Sequence, residues 1–214
     1  MNPRAARIAA YTAAFFVLAV MTYNWLGEDC FISFRYTRNL VAGHGLVFNP
    51  GERVEGYSNL AWVILMAPFE ALGIRLHLAA RFLSLAFFAG LGVTAWQLGK
   101  RLLPEAQAWL AGWLAIAVLL DPLLHFHADK ALETVPYAAL LGIGLMAVAT
   151  GLHGVLAGLA LAGAVLMRPE GIGFALALLP AAMLRREDET ATARLRRALS
   201  TVGIPLAVFL AQLA

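Results

Sequence analysis

A single cysteine, Cys30, stands in 214 residues, which excludes an intrachain disulfide and a thiolate metal cluster. Charge is scarce as well: Asp, Glu, Lys and Arg make up 14% of the chain, against about 25% in ordinary soluble domains. There is no glycine-rich phosphate loop of the kind that cradles a nucleotide, and no period-two alternation of the kind a membrane β-barrel needs. What fills the chain instead is apolar side chain, 61% of it. A soluble globule of this length has too little interior to hide so much, so the composition predicts an α-helical integral membrane protein. The net charge of +3 is carried by arginines gathered in short loops. That pattern fits membrane orientation, and no nucleic-acid partner is expected.

The apolar runs give the layout. Arg4 and Arg7 precede a run over residues 8–26, read as an uncleaved signal anchor with the N-terminus in the cytoplasm. Further spans are predicted at residues 79–99, 106–120, 135–152, 154–167, 172–184 and 198–214. Residues 60–72 carry Pro68 and Glu70 and are too short for a span, so they are expected to lie along the interface. With that segment not crossing, Lys100-Arg101 and the five arginines between Leu184 and Ala198 all fall on the cytoplasmic side. Arg194, Arg196 and Arg197 are then topology signals facing anionic lipid. The same arrangement puts the first loop, the His125–Thr134 region and Arg168-Pro169-Glu170-Gly171 together on the opposite, extracytoplasmic face. Gly154-x-x-x-Gly158 and the alanines around it predict close helix packing.

The densest polar chemistry begins where the first apolar run ends, at Glu28-Asp29-Cys30-Phe31-Ile32-Ser33-Phe34-Arg35. Adjacent carboxylates at a membrane edge need water or a partner, and they suit a reaction site that faces lipid-borne substrate. Phe31, Ile32, Phe34, Leu40 and Val41 interleave with Arg35, Arg38 and Asn39, predicting a short amphipathic helix in the headgroup plane. Its arginines either meet a phosphate or snorkel. Gly43-His44-Gly45 should end that helix, and Phe48-Asn49-Pro50-Gly51 should form a tight turn between two brief extended pieces.

These residues also carry a resemblance. The run from Glu28 through Tyr36, then Arg38-Asn39-Leu40, the stretch from Gly43 through Asn59, and Trp62 resemble bacterial GT-C glycosyltransferases, in particular the actinobacterial terminal arabinofuranosyltransferases and their uncharacterised relatives. Leu132-Glu133-Thr134 and Arg168-Pro169-Glu170-Gly171 look like two later motifs of that family, in the expected order. The resemblance implies an all-α polytopic membrane protein. It would be a GT-C-like transmembrane helix bundle over residues 1–214, with an external first loop of juxtamembrane helices over residues 27–78. It implies a polyprenyl-phosphate sugar donor, an extracytoplasmic acceptor (glycan, lipid or protein), contact with membrane lipid, and a place in the bacterial inner membrane. It also implies an acidic first-loop residue as general base, which maps to the Glu28-Asp29 pair. Family members usually have two aspartates there; the extra methylene of Glu28 ranks Asp29 ahead, because positioning is worth orders of magnitude in rate. Substrate-binding roles are expected for Arg35, Arg38, Asn39, Asn49, Glu52, Glu55, Tyr57, Glu133, Arg168 and Glu170. Family members are usually longer, and the apolar run at residues 206–214 has no polar flank, so the chain is expected to be an N-terminal portion.

Residue chemistry points the same way. A carboxylate can take the proton of an attacking sugar hydroxyl, and forked guanidinium groups such as Arg35, Arg38 or Arg168 can stabilise a departing lipid phosphate. No cofactor is expected. His125-x-His127-x-Asp129 offers donors that suit a divalent cation, with an interfacial polar cluster as the preferred reading. Glu133 either frames the acceptor site or pairs with Lys130. Two other classes stay open: a transporter or flippase of lipid-linked sugar, although no internal repeat is visible, and a non-catalytic membrane subunit that keeps the scaffold.

Overall fold

The computed structural model describes residues 26–52, 54, 56–151, 154–184 and 189–213. Expectations placed on residues 8–25, Arg53, Glu55, residues 185–188 and Ala214 lie outside the described residues. Every element of secondary structure among the described residues is helical. In chain order they are α1 (Glu28–Val41), α2 (Leu60–Ala71), α3 (Leu76–Leu102), a 3₁₀ turn (Glu105–Gln107), α4 (Leu110–Leu119), α5 (Pro122–Asp129), α6 (Thr134–Thr150), α7 (Gly154–Met167), α8 (Gly171–Ala177), α9 (Leu179–Met183) and α10 (Ala191–Leu213).

α1 starts after an extended Gly27, with Glu28 and Asp29 in its first turn, where negative charge suits the positive end of the helix dipole. It stops where the glycines predicted. Gly43 and Gly45 take φ of +82° and +84°, and the His44 N–H reaches back to the Asn39 carbonyl at 2.9 Å. The following turn falls one residue later than expected, over Asn49–Glu52, with Gly51 at φ +90°. The pieces beside it form no strand among the described residues, because side chains of α1 hold the carbonyls of Val47 and Phe48.

α2 has 12 residues, roughly 18 Å of helix, well short of the hydrocarbon thickness of about 30 Å. α3, with 27 residues, is the one described helix long and apolar enough to cross a bilayer alone. α4 and α5 pass that test together as one span bent by 46°. The bend falls at Asp121, whose carboxylate accepts the Leu124 N–H at 2.8 Å and which is followed by Pro122. A cap and a proline at the first helical position make this a fresh helix start. The expected span over 172–184 is likewise broken, into α8 and α9, where Pro180 cannot donate to the residue one turn back. α6, α7 and α10 lie where spans were expected at 135–152, 154–167 and 198–214, α10 starting seven residues sooner, at Ala191, but none of the three passes that test.

Small residues set the packing. Gly144 lies against Leu161 of α7, Gly154 lies 2.8 Å (from an added Cβ) from the Arg197 carbonyl, and Gly158 nests on the Ser200 carbonyl of α10. The close approach expected at Gly154-x-x-x-Gly158 is therefore with α10. α3 and α6 run side by side in the same direction: Arg81 pairs with Asp129 and Ser84 meets Leu132 near their starts, and Leu91 and Thr94 meet Gly142 further on. α7 returns. Lys100 and Arg101 at the end of α3, and Arg197 beside the start of α7, thus sit at the end of the bundle remote from Arg168, which follows α7. Arg197, expected to face lipid, turns inward instead. It donates to Glu189 at 2.5 Å and to the Ala182 and Leu184 carbonyls at 3.0 and 2.6 Å. The end of α9 leaves carbonyls unpaired, and the guanidinium satisfies them.

Candidate functional site

Helical periodicity separates the two first-loop carboxylates. At 100° per residue, Glu28 shares a face of α1 with Arg35, seven residues on, and that face is exposed. Asp29 shares its face with Ser33, four residues on, whose side chain is buried at the edge of the helix's packed side. The buried residues of α1 are Cys30, Ser33, Phe34, Tyr36 and Thr37, of which Cys30 and Phe34 sit in one core cluster with Trp62, Met66, Ala80, Ala131 and Met167. Cys30 is the small apolar filler the sequence suggested. Burial first, and then the charge of Asp29, push its thiol up from 9.0 to about 11. Lys130 pulls the other way; its stem lies against Gly27, 3.3 Å from where a Cβ would stand.

From Ser33 a chain of polar contacts crosses the molecule. The Asn59 amide nitrogen donates to Ser33 Oγ at 2.9 Å and to Glu133 Oε2 at 3.0 Å. The other oxygen of Glu133 lies 3.7 Å from Arg168 Nη1, and Arg168 Nε donates to Glu170 Oε1 at 2.7 Å. Asn59 and Glu133 are 8% and 9% exposed, deep enough that an unpaired polar atom costs about 1–3 kcal/mol. Glu133 reaches this position through a left-handed residue, Ala131 at φ +60°, a conformation that costs a non-glycine residue roughly 1–2 kcal/mol. The first loop, Leu132-Glu133-Thr134 and Arg168-Pro169-Glu170-Gly171 thus meet at one end of the helices. Glu133 takes Asn59 and Arg168 as partners, and Gly171 packs so closely on the backbone of Ala164 and Val165 that an added Cβ would stand only 3.0 Å from it.

The other first-loop residues mostly fasten the loop to itself. Arg35 donates to the Phe48 carbonyl at 2.8 Å and to Asn49 Oδ1 at 3.0 Å, and stacks over the Phe48 ring. Asn39 holds the Val47 and Phe48 carbonyls at 2.8 and 2.9 Å, and Asn49 donates to Glu52 at 3.1 Å. Tyr57 packs on Tyr36 at 4.6 Å between ring centroids. The Tyr36 hydroxyl donates to the Val54 carbonyl and accepts the Gly56 N–H, both at 2.9 Å. A Cβ at Gly56 would come within 2.8 Å of that hydroxyl, so the position needs glycine. Arg38 is the least engaged of the three arginines, 61% exposed with Glu70 at 3.9 Å. Arg35, Arg38 and Arg168 therefore each answer to a different set of protein partners.

His125, His127 and Asp129 do not act as a set. His125 Nε2 lies 2.7 Å from the Leu119 carbonyl with its ring edge-on to Phe88, and Asp129 pairs with Arg81. Among the described residues no three His, Cys, Asp or Glu side chains gather into a group able to hold a metal ion. Two residues of the polar chain, Ser33 and Asn59, went unmarked in the sequence as site residues. Asn59 directly precedes α2 and reads as an ordinary helix cap, yet its side chain makes no capping bond.

No family model and no solved structure matches this chain. Two curated relatives do. The terminal β-(1→2)-arabinofuranosyltransferase of Corynebacterium glutamicum is 35% identical over 121 residues, covering 53% of this chain and 18% of the relative. The enzyme of the same name from Mycobacterium tuberculosis is 49% identical over 43 residues, covering 20% of this chain and 7% of the relative. The match takes in less than a fifth of either relative's length. Over about half of its residues, this chain is similar to terminal β-(1→2)-arabinofuranosyltransferases, the resemblance its first loop carries.

Proposed function

We propose that this chain forms part of a membrane glycosyltransferase of GT-C type. It would move a sugar from a polyprenyl-phosphate donor to a glycan, lipid or protein acceptor on the outer side of a bacterial inner membrane. Arabinofuranose is the sugar that the names of the two relatives suggest. The observation that carries this reading is the Asn59–Glu133–Arg168 chain, which ties three distant segments together on the side of α1 that bears Asp29. Polar side chains converging from distant segments are what a reaction site needs.

In the proposed reaction the acceptor hydroxyl loses its proton to Asp29 as its oxygen bonds to the anomeric carbon. The bond from that carbon to the phosphate oxygen breaks, and the phosphate leaves with the electron pair. Both carboxylates are exposed; Asp29 is favoured over Glu28 as the base because it stands one turn before Ser33, which the Asn59 amide joins to Glu133, whereas Glu28 lines up with Arg35. Arg168, 37% exposed at its side chain with Nε and Nη1 turned to carboxylates, keeps Nη2 for the leaving phosphate. A planar guanidinium held at two of its nitrogens presents the third in a fixed direction.

The test is Asp29→Asn in the full-length protein, supplied with a polyprenyl-phosphate sugar and a glycan acceptor. Asparagine keeps the shape and cannot take the proton. Turnover is expected to fall by about two to four orders of magnitude, with the donor KM little changed because the lost interaction belongs to the transition state. Glu28→Gln is expected to lose less. Wild-type turnover in both variants would remove the first-loop base from the mechanism.

A further inference from the structure

We propose that Asn59 is a positioning residue: its amide nitrogen fixes the Glu133 carboxylate against Ser33 of α1 and so sets the direction in which Glu133 holds Arg168. Its consequence for catalysis rests on the transferase reading; its consequence for the structure does not.

The orientation of the amide carries the argument. Asn59 Nδ2 spends one hydrogen on Ser33 Oγ and the other on Glu133 Oε2, at 2.9 and 3.0 Å. Turned over, the amide would point its oxygen at a carboxylate, two acceptors face to face. Ser33 does not select between the two orientations, since a hydroxyl can donate as readily as accept. Glu133 does. The chosen orientation leaves Asn59 Oδ1 buried with no hydrogen-bond partner. A residue present to cap α2 would turn that oxygen to the first N–H groups of the helix. Instead the Trp62 N–H, one that a capping side chain would take, goes to the Asn59 backbone carbonyl at 2.9 Å, and the side chain is spent on Ser33 and Glu133.

The charged groups around this point are few. Arg168 and Glu170 come from the turn after α7, and Asp29 and Lys130 lie by the start of α1. Between them, Asn59 is a neutral link that touches both Ser33 of α1 and Glu133. A change at Asn59 should therefore be felt in two places, at the seating of α1 and at Arg168.

Asn59→Asp tests this in the full-length protein. It conserves size and shape, removes both donated hydrogens and sets two carboxylates against each other, and such a pair shares one proton when the pH falls. Cys30, buried on the packed side of α1, reports the seating through its rate of alkylation by a maleimide, followed peptide by peptide in a mass spectrometer. At pH 8 the variant should label about ten- to a hundredfold faster than wild type, the size expected on losing a hydrogen bond to a charged group. That ratio should fall toward one near pH 5.5, as the shared proton restores a donor. Turnover relative to wild type should follow the same pH course, with the loss in kcat larger than the change in donor KM. Asn59→Ala should show the neutral-pH defects and no recovery in acid. A labelling ratio near one throughout, or one that ignores pH, overturns the proposal. Should Asn59→Asp fail to fold at any pH, Ser33→Ala decides: it severs only the α1 arm and should speed Cys30 labelling at every pH, and a wild-type rate there overturns the proposal too. A wild-type protein with no transferase activity would sink the transferase reading while leaving the Cys30 result to judge Asn59.

Discussion

Replacing Gly158 with alanine tests the packing that brings the far end of the bundle together. A Cβ added there falls on the Ser200 carbonyl oxygen of α10, with Ile204 Cδ1 at 2.8 Å and the Ser200 carbonyl carbon at 3.0 Å. Ile204 can rotate away. The carbonyl is helix backbone and cannot, so α7 and α10 must separate along a contact that buries Ala157, Ala198, Thr201 and Val202. Alanine is worth about 1 kcal/mol over glycine inside a helix, while forcing a methyl into a filled space costs about 1–3 kcal/mol. The net effect is a loss of up to about 2 kcal/mol, which at its full size lowers Tm by roughly 4–8 °C for a chain of this size. Gly203, exposed on α10, has nothing within 4 Å of an added Cβ, so Gly203→Ala keeps the propensity gain and should raise Tm by roughly 2–4 °C. The assay is thermal unfolding of the detergent-solubilised protein, followed by tryptophan fluorescence. The opposite signs are the prediction. A Gly158→Ala protein as stable as Gly203→Ala would mean that α7 and α10 do not meet at this glycine.

Two further outcomes are expected. Because burial and Asp29 raise the Cys30 thiol from 9.0 to about 11, its thiolate fraction near neutral pH is about a hundredfold below that of an ordinary cysteine. Alkylation should be correspondingly slow and should climb until about pH 11, and Asp29→Asn should speed it modestly; ordinary thiol kinetics in the wild type would contradict the buried placement of Cys30. If the bundle crosses a membrane with its basic end in the cytoplasm, a cysteine probe at Gly51 should be labelled from outside intact cells and one at Thr192 should not, and labelling at Thr192 would reverse the orientation.

The sequence by itself determined the all-helical character, the end of α1 at Gly43-His44-Gly45, the glycine seam of α7 and the place of the polar chemistry. Each follows from local or compositional causes: apolar runs with no period-two alternation, glycines free to take positive φ, and carboxylates that do not belong in hydrocarbon. It also placed three motifs at one end by counting helices. Only the tertiary structure decided what each polar side chain does there. Arg35, Asn39 and Asn49 look like ligand-binding residues in a list, yet the loop's own carbonyls and amides claim them, because a loop without strands must satisfy its backbone from side chains. Arg197 reads as one more basic flank until the broken end of α9 is seen to need its donors. The span expected over 172–184 is interrupted at Leu178, ahead of Pro180, a breaker that hydropathy averages away. Asn59 shows the limit most plainly. Its place in the sequence, directly before α2, says nothing of its partner, Glu133, 74 residues further along the chain, and no local rule can see across that distance.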